Sequence, residues 1–283
     1  MTNVWKSKLM AHYDFAALEN VEFEASIDLY RAAPEDVRVA HGIEVRDIGA
    51  TTCLVCRGIE PAAMFRRAVR LGVGQETSEA ELDDVVTYLD GCGLRYAVPI
   101  APLSRPPAVA SWLERRGFTR GYAWMKFRRP CDGPLHATND LDVRVIDSDP
   151  GGEFGRVVVE GFGLPSTVAP WVGSLAGRAN WVCVMAFDRG APVAAGAVYV
   201  NGERAWLGFG ATLASHRGHG AQTALLARRL SEASARGARV AVTETGERIP
   251  DKPSVSYRNI LRAGFEEMYV RQNYMSPFRQ SVH

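Results

Sequence analysis

The sequence lacks any apolar run approaching the roughly 18 residues that a membrane span needs. Its opening stretch, MTNVWKSKLM, is too polar for a secretory h-region. Both absences point to a cytoplasmic protein with no membrane partner. There is no charge excess either: 33 Lys and Arg against 32 Asp and Glu leave a formal net charge of +1. Without a global field or a long Lys/Arg tract the chain does not attract nucleic acid, so any anion site must be local. Cysteine is sparse. The five (Cys53, Cys56, Cys92, Cys131 and Cys183) are odd in number and scattered, which excludes a disulfide framework. Cys53 and Cys56 have CxxC spacing, but no second pair completes a zinc site and they lie in the β-like run TTCLVCRG. They read as core cysteines, and no metal is expected.

What is present is ample for two cores: 283 residues, 47% hydrophobic. A helical stretch, DFAALENVEFEASIDLYRAA, leads into the strands EVRDIG and TTCLVCRG, a Ser-capped helix SEAELDDVVTYLDGCG, and the strand RYAVPIAP. RPPAVASWLERRGF then forms a helix started by proline, followed by the strand YAWMKFRRP. The polar, turn-rich segment 131–140 reads as a linker. After it a similar order returns, with strand LDVRVID, helix EFGRVVVEGFG, a helix around PSTVAPWVGSLAG, and strand WVCVMAFD. The β runs PVAAGAVYV and RAWLGFGAT follow, joined by the hairpin signal Asn201-Gly202. WLERRGFTRGYAWMKFRR and ILRAGFEEMYVRQNY share a pattern of helix, Gly-Phe and aromatic strand, which indicates an internal duplication. The expected domains are 1–130, linker 131–140, and 141–283.

Between RAWLGFGAT and an apolar-periodic helix stands HRGHG, residues 216–220. Gly218 and Gly220 allow a tight turn and close approach of a ligand, the helix start offers unpaired N–H groups, and Arg217 adds a fixed charge. The loop fits a pyrophosphate. It is neither a GxxxxGK[ST] loop nor a GxGxxG fingerprint.

This arrangement resembles the GNAT superfamily of acyl-CoA-dependent N-acyltransferases, whose signature is [Q/R]-x-x-G-x-[G/A] between the central strand and its helix. Here the segment reads Arg217-Gly218-His219-Gly220-Ala221-Gln222, with Gln222 where a small residue is usual. Residues 256–265, SYRNILRAGF, are similar to the family's later helix ending in Gly-Phe. The resemblance spans about 141–276. It implies an α/β (α+β) fold of two GNAT-like domains, each with a mixed, mostly antiparallel sheet flanked by helices. It further implies that the amides of Gly218, His219, Gly220, Ala221, Gln222 and Thr223 hold the pyrophosphate of acetyl-CoA. Gly210, Ala211 and Thr212 would offer backbone groups to the pantetheine arm, between two splayed strands, and Asn259 is a further contact. His216 and His219 would face phosphate or solvent.

Transfer to an amine needs a base for the amine and an acid for the departing thiolate. Glu244, in VTETGE, stands where the family often keeps a glutamate base, with Glu247 in reserve. For the acid the sequence departs from the family: the usual tyrosine position holds Ile260, and Tyr257 lies one turn earlier on the same helix face. The first half has no such loop. GQETSEAELDD stands there instead, and Glu76, Glu79, Glu81, Asp83 and Asp84 would repel a pyrophosphate, so the first domain is read as degenerate and as shaping the acceptor cleft. The expected activity is direct acetyl transfer to the amino group of a small molecule, by a monomer or homodimer. A non-catalytic acyl-CoA sensor or a protein N-acetyltransferase are the alternatives. The mostly apolar segment GFGLPSTVAPWVGSLAGRANW is expected to cover an acceptor with an apolar body.

Overall fold

The computed structural model describes residues 14–59, 63–133, 135, 140–149, 152–249 and 254–277. Half of the 131–140 linker (134 and 136–139) and all of MTNVWKSKLM lie outside the described residues.

The first half begins with α1 (Phe15–Arg31), whose N-terminus is capped by Asp14 accepting from the Ala16 amide. A short α2 (Glu35–His41) ends in a left-handed Gly42. Strands β1 (Ile43–Ile48), β2 (Thr51–Cys56) and β3 (Arg67–Val69) form an antiparallel meander. Then come α3 (Glu79–Gly91), β4 (Ala97–Ile100) parallel to β3, α4 (Val109–Arg115) and the long β5 (Thr119–Pro130). After β6 (Asp142–Ile146) the second half repeats this order. It runs α5 (Glu153–Phe162), α6 (Ala169–Gly173), the meander β7 (Trp181–Asp188), β8 (Ala191–Asn201) and β9 (Arg204–Thr212), and α7 (Ala221–Ala235). It closes with β10 (Val240–Gly246) parallel to β9, α8 (Val255–Arg262) and β11 (Glu266–Met275).

The eleven strands form one sheet in the order β1-β2-β3-β4-β11-β5-β10-β9-β8-β7-β6. The last strand of each half lies against the other half: β5 pairs antiparallel with β10, and β11 with β4. The two exchanged strands also pair with each other at the centre. The sheet therefore has no break between the halves.

Period-two alternation sorts the strand residues to two faces. On β7, Trp181, Cys183 and Met185 join the core under α1, α5 and α6, while Val182, Val184 and Ala186 pack against α7 and α8. A third cluster joins β2 and β4 to α3 and α4 through Leu82, Val85, Leu89 and Leu113. Helix α1 comes from the first half yet packs on β8 and β9 as well as β1. Trp171 and Trp181 of the second half fasten it, donating their indole N–H groups to the Leu29 carbonyl and to Asp28, each at 2.7 Å. Cys53 and Cys56 belong to clusters on opposite faces, so the CxxC pair shares no ligand direction. Burial pushes their thiols up to about 12 and about 11.

Candidate active site

Strands β9 and β10 stay paired only from Arg204–Trp206 against Val240–Val242. Beyond Trp206, β9 follows β8 while β10 follows β5, and a gap opens between them. A bulge drives the divergence. Ala195 pairs with Ala211 and Ala197 with Gly208, so that Phe209 and Gly210 together stand opposite the single Gly196. Phe209 takes φ +57°, a left-handed conformation that a bulky side chain adopts only when its surroundings enforce it. Trp181 and Trp206, with ring centroids 5.9 and 5.7 Å away, supply that enforcement.

At one end of the gap lies the glycine loop. Gly218 and Gly220 have φ +85° and +80°, and Gly220 occupies the N-cap of α7 with no side-chain cap. By contrast Ser78 caps α3 and Ser254 caps α8. The N-terminus of α7 thus presents its positive dipole end without a side-chain cap. Arg217 folds its guanidinium toward the carbonyls of Thr212 (3.3 Å) and Gly161 (3.5 Å). Gln222, the departure from the signature, donates to the Thr212 hydroxyl at 2.9 Å and so ties the end of β9 to the start of α7. Gly218, His219 and Gly220 are exposed, Ala221 is buried, and Gln222 and Thr223 are half-buried. His216 faces Asp188 at 3.3 Å, away from β10.

Under the gap, a buried arginine holds the bulge from below. Arg229 of α7 donates to the carbonyls of Ala197 (3.3 Å) and Gly208 (2.9 Å), and burial lowers its pKa to about 10. Gly196 and Gly210 leave room for it: a Cβ on Gly196 would lie 2.9 Å from the guanidinium carbon, and one on Gly210 3.4 Å from Nη2.

At the other end, on the α1 face, is a cavity of about 330 Å³ that reaches Trp206, Phe209 and Glu244. Both halves build it. Tyr30, Phe65 and Tyr122 come from the first; Phe162, Leu164, Val168 and Trp171 come from the apolar segment expected to cover the acceptor. Its floor is a charged network. Lys126 of β5 donates to Glu22 of α1 and, at 2.9 Å, to Glu244, which also accepts from the Trp206 indole at 3.0 Å. Arg271 of β11 donates both terminal nitrogens to Glu22, at 2.5 and 2.7 Å, and one of them to Glu19 at 2.8 Å. Burial would raise the pKa of Glu22, but Arg271 and Lys126 overcome it and hold the carboxyl well below its usual range. Glu244 goes the other way. Burial and the nearby Glu22 charge raise its pKa, and Lys126 only partly offsets them.

The sequence missed Glu19, Glu22, Lys126 and Arg271. Their one signal is position, since the glutamates are interleaved with the apolar face of α1 and Lys126 has the inward parity of its strand.

Tyr257 lies on the opposite face from Glu244, packed edge-on to Phe127 at 5.0 Å. Its hydroxyl donates to Glu267 at 2.5 Å, and burial with that carboxylate pushes the phenol up to about 12. Glu247 is exposed beyond β10, and Asn259 is half-buried on α8. In the first half the corresponding space is filled. Arg105 donates its amide to Gly72 (2.8 Å) and accepts from Thr77 (3.1 Å), and Glu81 accepts from the Ala50 and Thr51 amides of the β1–β2 turn. Among the described residues there is no group of three metal-ligating side chains, and no helix is long and apolar enough to cross a membrane.

Comparison of the sequence with protein-family profiles and with curated proteins gives no match. The architecture does match. A tandem GNAT protein from the clavulanic acid biosynthesis pathway superposes with TM-score 0.58 at 16% identity, over 90% of this chain and 94% of that one. The fold is the tandem GNAT fold. A GCN5-related N-acetyltransferase from Kribbella flavida gives TM-score 0.57 at 18% identity, over 88% of this chain and 95% of that one. One from Sphaerobacter thermophilus gives 0.58 at 15% identity, over 84% of each chain. This likeness at both ends accounts for the repeated element order as two GNAT-like units.

Proposed function

We propose that the chain is an acyl-CoA-dependent N-acyltransferase, with acetyl-CoA the donor and a small-molecule amine the acceptor. The observation that carries the proposal is the gap between β9 and β10: an uncapped helix N-terminus at one end, a glutamate-floored cavity at the other. In this reading the amides of Gly218 through Thr223, with Arg217 and His219 beside them, receive the pyrophosphate. The edge of β9 that faces the gap at Gly210, Ala211 and Thr212 pairs with the pantetheine amides, and Asn259 flanks the arm.

The acceptor enters the cavity on the α1 face. Glu244, with its raised pKa, takes the ammonium proton at a pH where an ordinary carboxylate would be too weak a base. The amine nitrogen then attacks the thioester carbonyl; the C–N bond forms, the C–S bond breaks, the thiolate leaves, and the nitrogen's remaining surplus proton passes to water as the amide forms. Tyr257, on the α7 and α8 side, supplies the thiolate's proton after its hydroxyl leaves Glu267. Base and acid thus approach the reacting carbon from opposite faces of the sheet. The degenerate first half contributes α1 and β5 to the acceptor wall.

The test is release of CoA thiol from acetyl-CoA against a panel of primary amines. Amine-dependent release supports the reading. Acetyl-CoA binding without release in any amine would replace it with the sensor reading.

A further inference from the structure

Among the described residues, the cavity lining holds two arginines with a buried Nε that has no partner, and they differ in that Arg271 hydrogen-bonds through both terminal nitrogens and Arg67 through one. Glu19 accepts from Arg271 and Tyr269, Glu22 from Arg271 and Lys126, and Glu244 from Lys126 and Trp206. Every carboxylate of the network therefore has its donors. Arg67 of β3 lines the same cavity and is differently placed. Its Nη2 donates to the Ser26 hydroxyl at 3.1 Å, its Nη1 stands 3.9 Å from Glu22 Oε1, too far for a hydrogen bond, and its Nε is buried with no partner. The side chain is 16% exposed. A guanidinium held this way, among Tyr30, Phe65 and Tyr122, is set to fork onto a planar anion.

Resting on the acyl-transfer reading, we infer that the acceptor is an amino carboxylate with an aromatic or bulky apolar body. Its carboxylate is gripped by Arg67, and its amine is directed to Glu244. The two anchors lie at opposite ends of the Glu22–Lys126 bridge. The molecule therefore spans the floor with its body against Trp171 and Phe162, which contribute no charge. The existing pairings leave Glu22 little reason to repel the incoming carboxylate, because Arg271 and Lys126 already surround it.

The probes are a matched pair, L-phenylalanine and phenethylamine, which differ only by the carboxylate. The full chain should prefer phenylalanine in kcat/KM by about 10- to 100-fold, the range of a charge-assisted pair. Arg67→Met should bring that ratio to near one, and Arg67→Lys should restore part of it as a point charge without the fork. Parity or preference for phenethylamine in the unaltered protein, with CoA released, would overturn the carboxylate assignment and leave acyl transfer standing. If neither amine releases CoA, the wider amine panel decides acyl transfer, and binding decides the Arg67 site by itself. Quenching of the cavity tryptophans by phenylalanine that weakens in Arg67→Met supports it, and absence of phenylalanine binding refutes it. A melting curve of Arg67→Met shows that the variant is folded.

Discussion

Lys126 and Glu244 stand directly opposite each other on antiparallel β5 and β10, the ammonium donating to the carboxylate at 2.9 Å. One residue belongs to each half. The base of the proposed reaction is therefore held by a strand that the other half supplies. Glu244→Gln should keep the Trp206 contact and acetyl-CoA binding, and lower turnover by about 10²- to 10⁴-fold. In the parent the rate should rise with pH through the raised Glu244 pKa, and that limb should vanish in the variant; initial rates from pH 5 to 9 check this.

Glu22→Gln should unfold the protein more readily, by about 3–5 kcal/mol, because it leaves Arg271 and Lys126 buried with one carboxylate fewer. The sign with pH follows from the depressed Glu22 pKa. A carboxylate favoured as the anion in the folded state contributes stability that is complete above the ordinary carboxylate range. That stability is lost as pH falls toward the folded-state value. Urea unfolding should show the parent losing stability below about pH 5, with a shallower acid limb in the variant.

Acetyl-CoA should raise the melting temperature through a single site per chain. Gly220→Asp should remove the effect, since it places a carboxylate where the α7 N-terminus would meet the pyrophosphate. Calorimetry returning two equivalent sites would contradict the filled space at Gly72 and Arg105.

Tyr257→Phe keeps the ring against Phe127 and removes the bond to Glu267. Turnover should fall by about 10²-fold or more, whereas Glu267→Gln, which alters only the partner, should not reproduce the loss. Equal small effects from both would reduce Tyr257 to a packing residue.

A protease site inserted within 136–139 and then cut should leave the two pieces assembled, because β5 and β11 are each paired into the other half. The 141–283 piece made alone should self-associate, having lost β5 from β10 and both partners of β11. Size-exclusion chromatography before and after cleavage distinguishes assembled from separated halves.

The element order was legible because each element carries its own local signal. Ser78 announces α3, Asn201-Gly202 the turn between β8 and β9, and the repeated Gly-Phe the start of β5 and β11. The strand exchange was not. YAWMKFRRP and EEMYVRQNYM read as strands, but nothing in a strand's own alternation says which edge it joins. The glycine loop was legible as a chemical object. The floor of the cavity was not, because Glu19 and Glu22 on a helix, or Lys126 among aromatics, look like solvated charges until Arg271 is brought across to meet them.

The ladder that joins β4, β11, β5 and β10 also governs motion. A two-domain enzyme often admits its substrate by swinging one lobe away from the other about a hinge. Here that swing would strip the hydrogen bonds between β10 and β5, which run in unbroken register from Val240–Pro130 to Gly246–Trp124. Lobe opening is closed to this molecule. Entry and exit fall to the smaller pieces at the rim, the segment between α5 and α6 and the turn Ala63–Phe65 before β3, and the cavity selects its guests with a floor that does not yield.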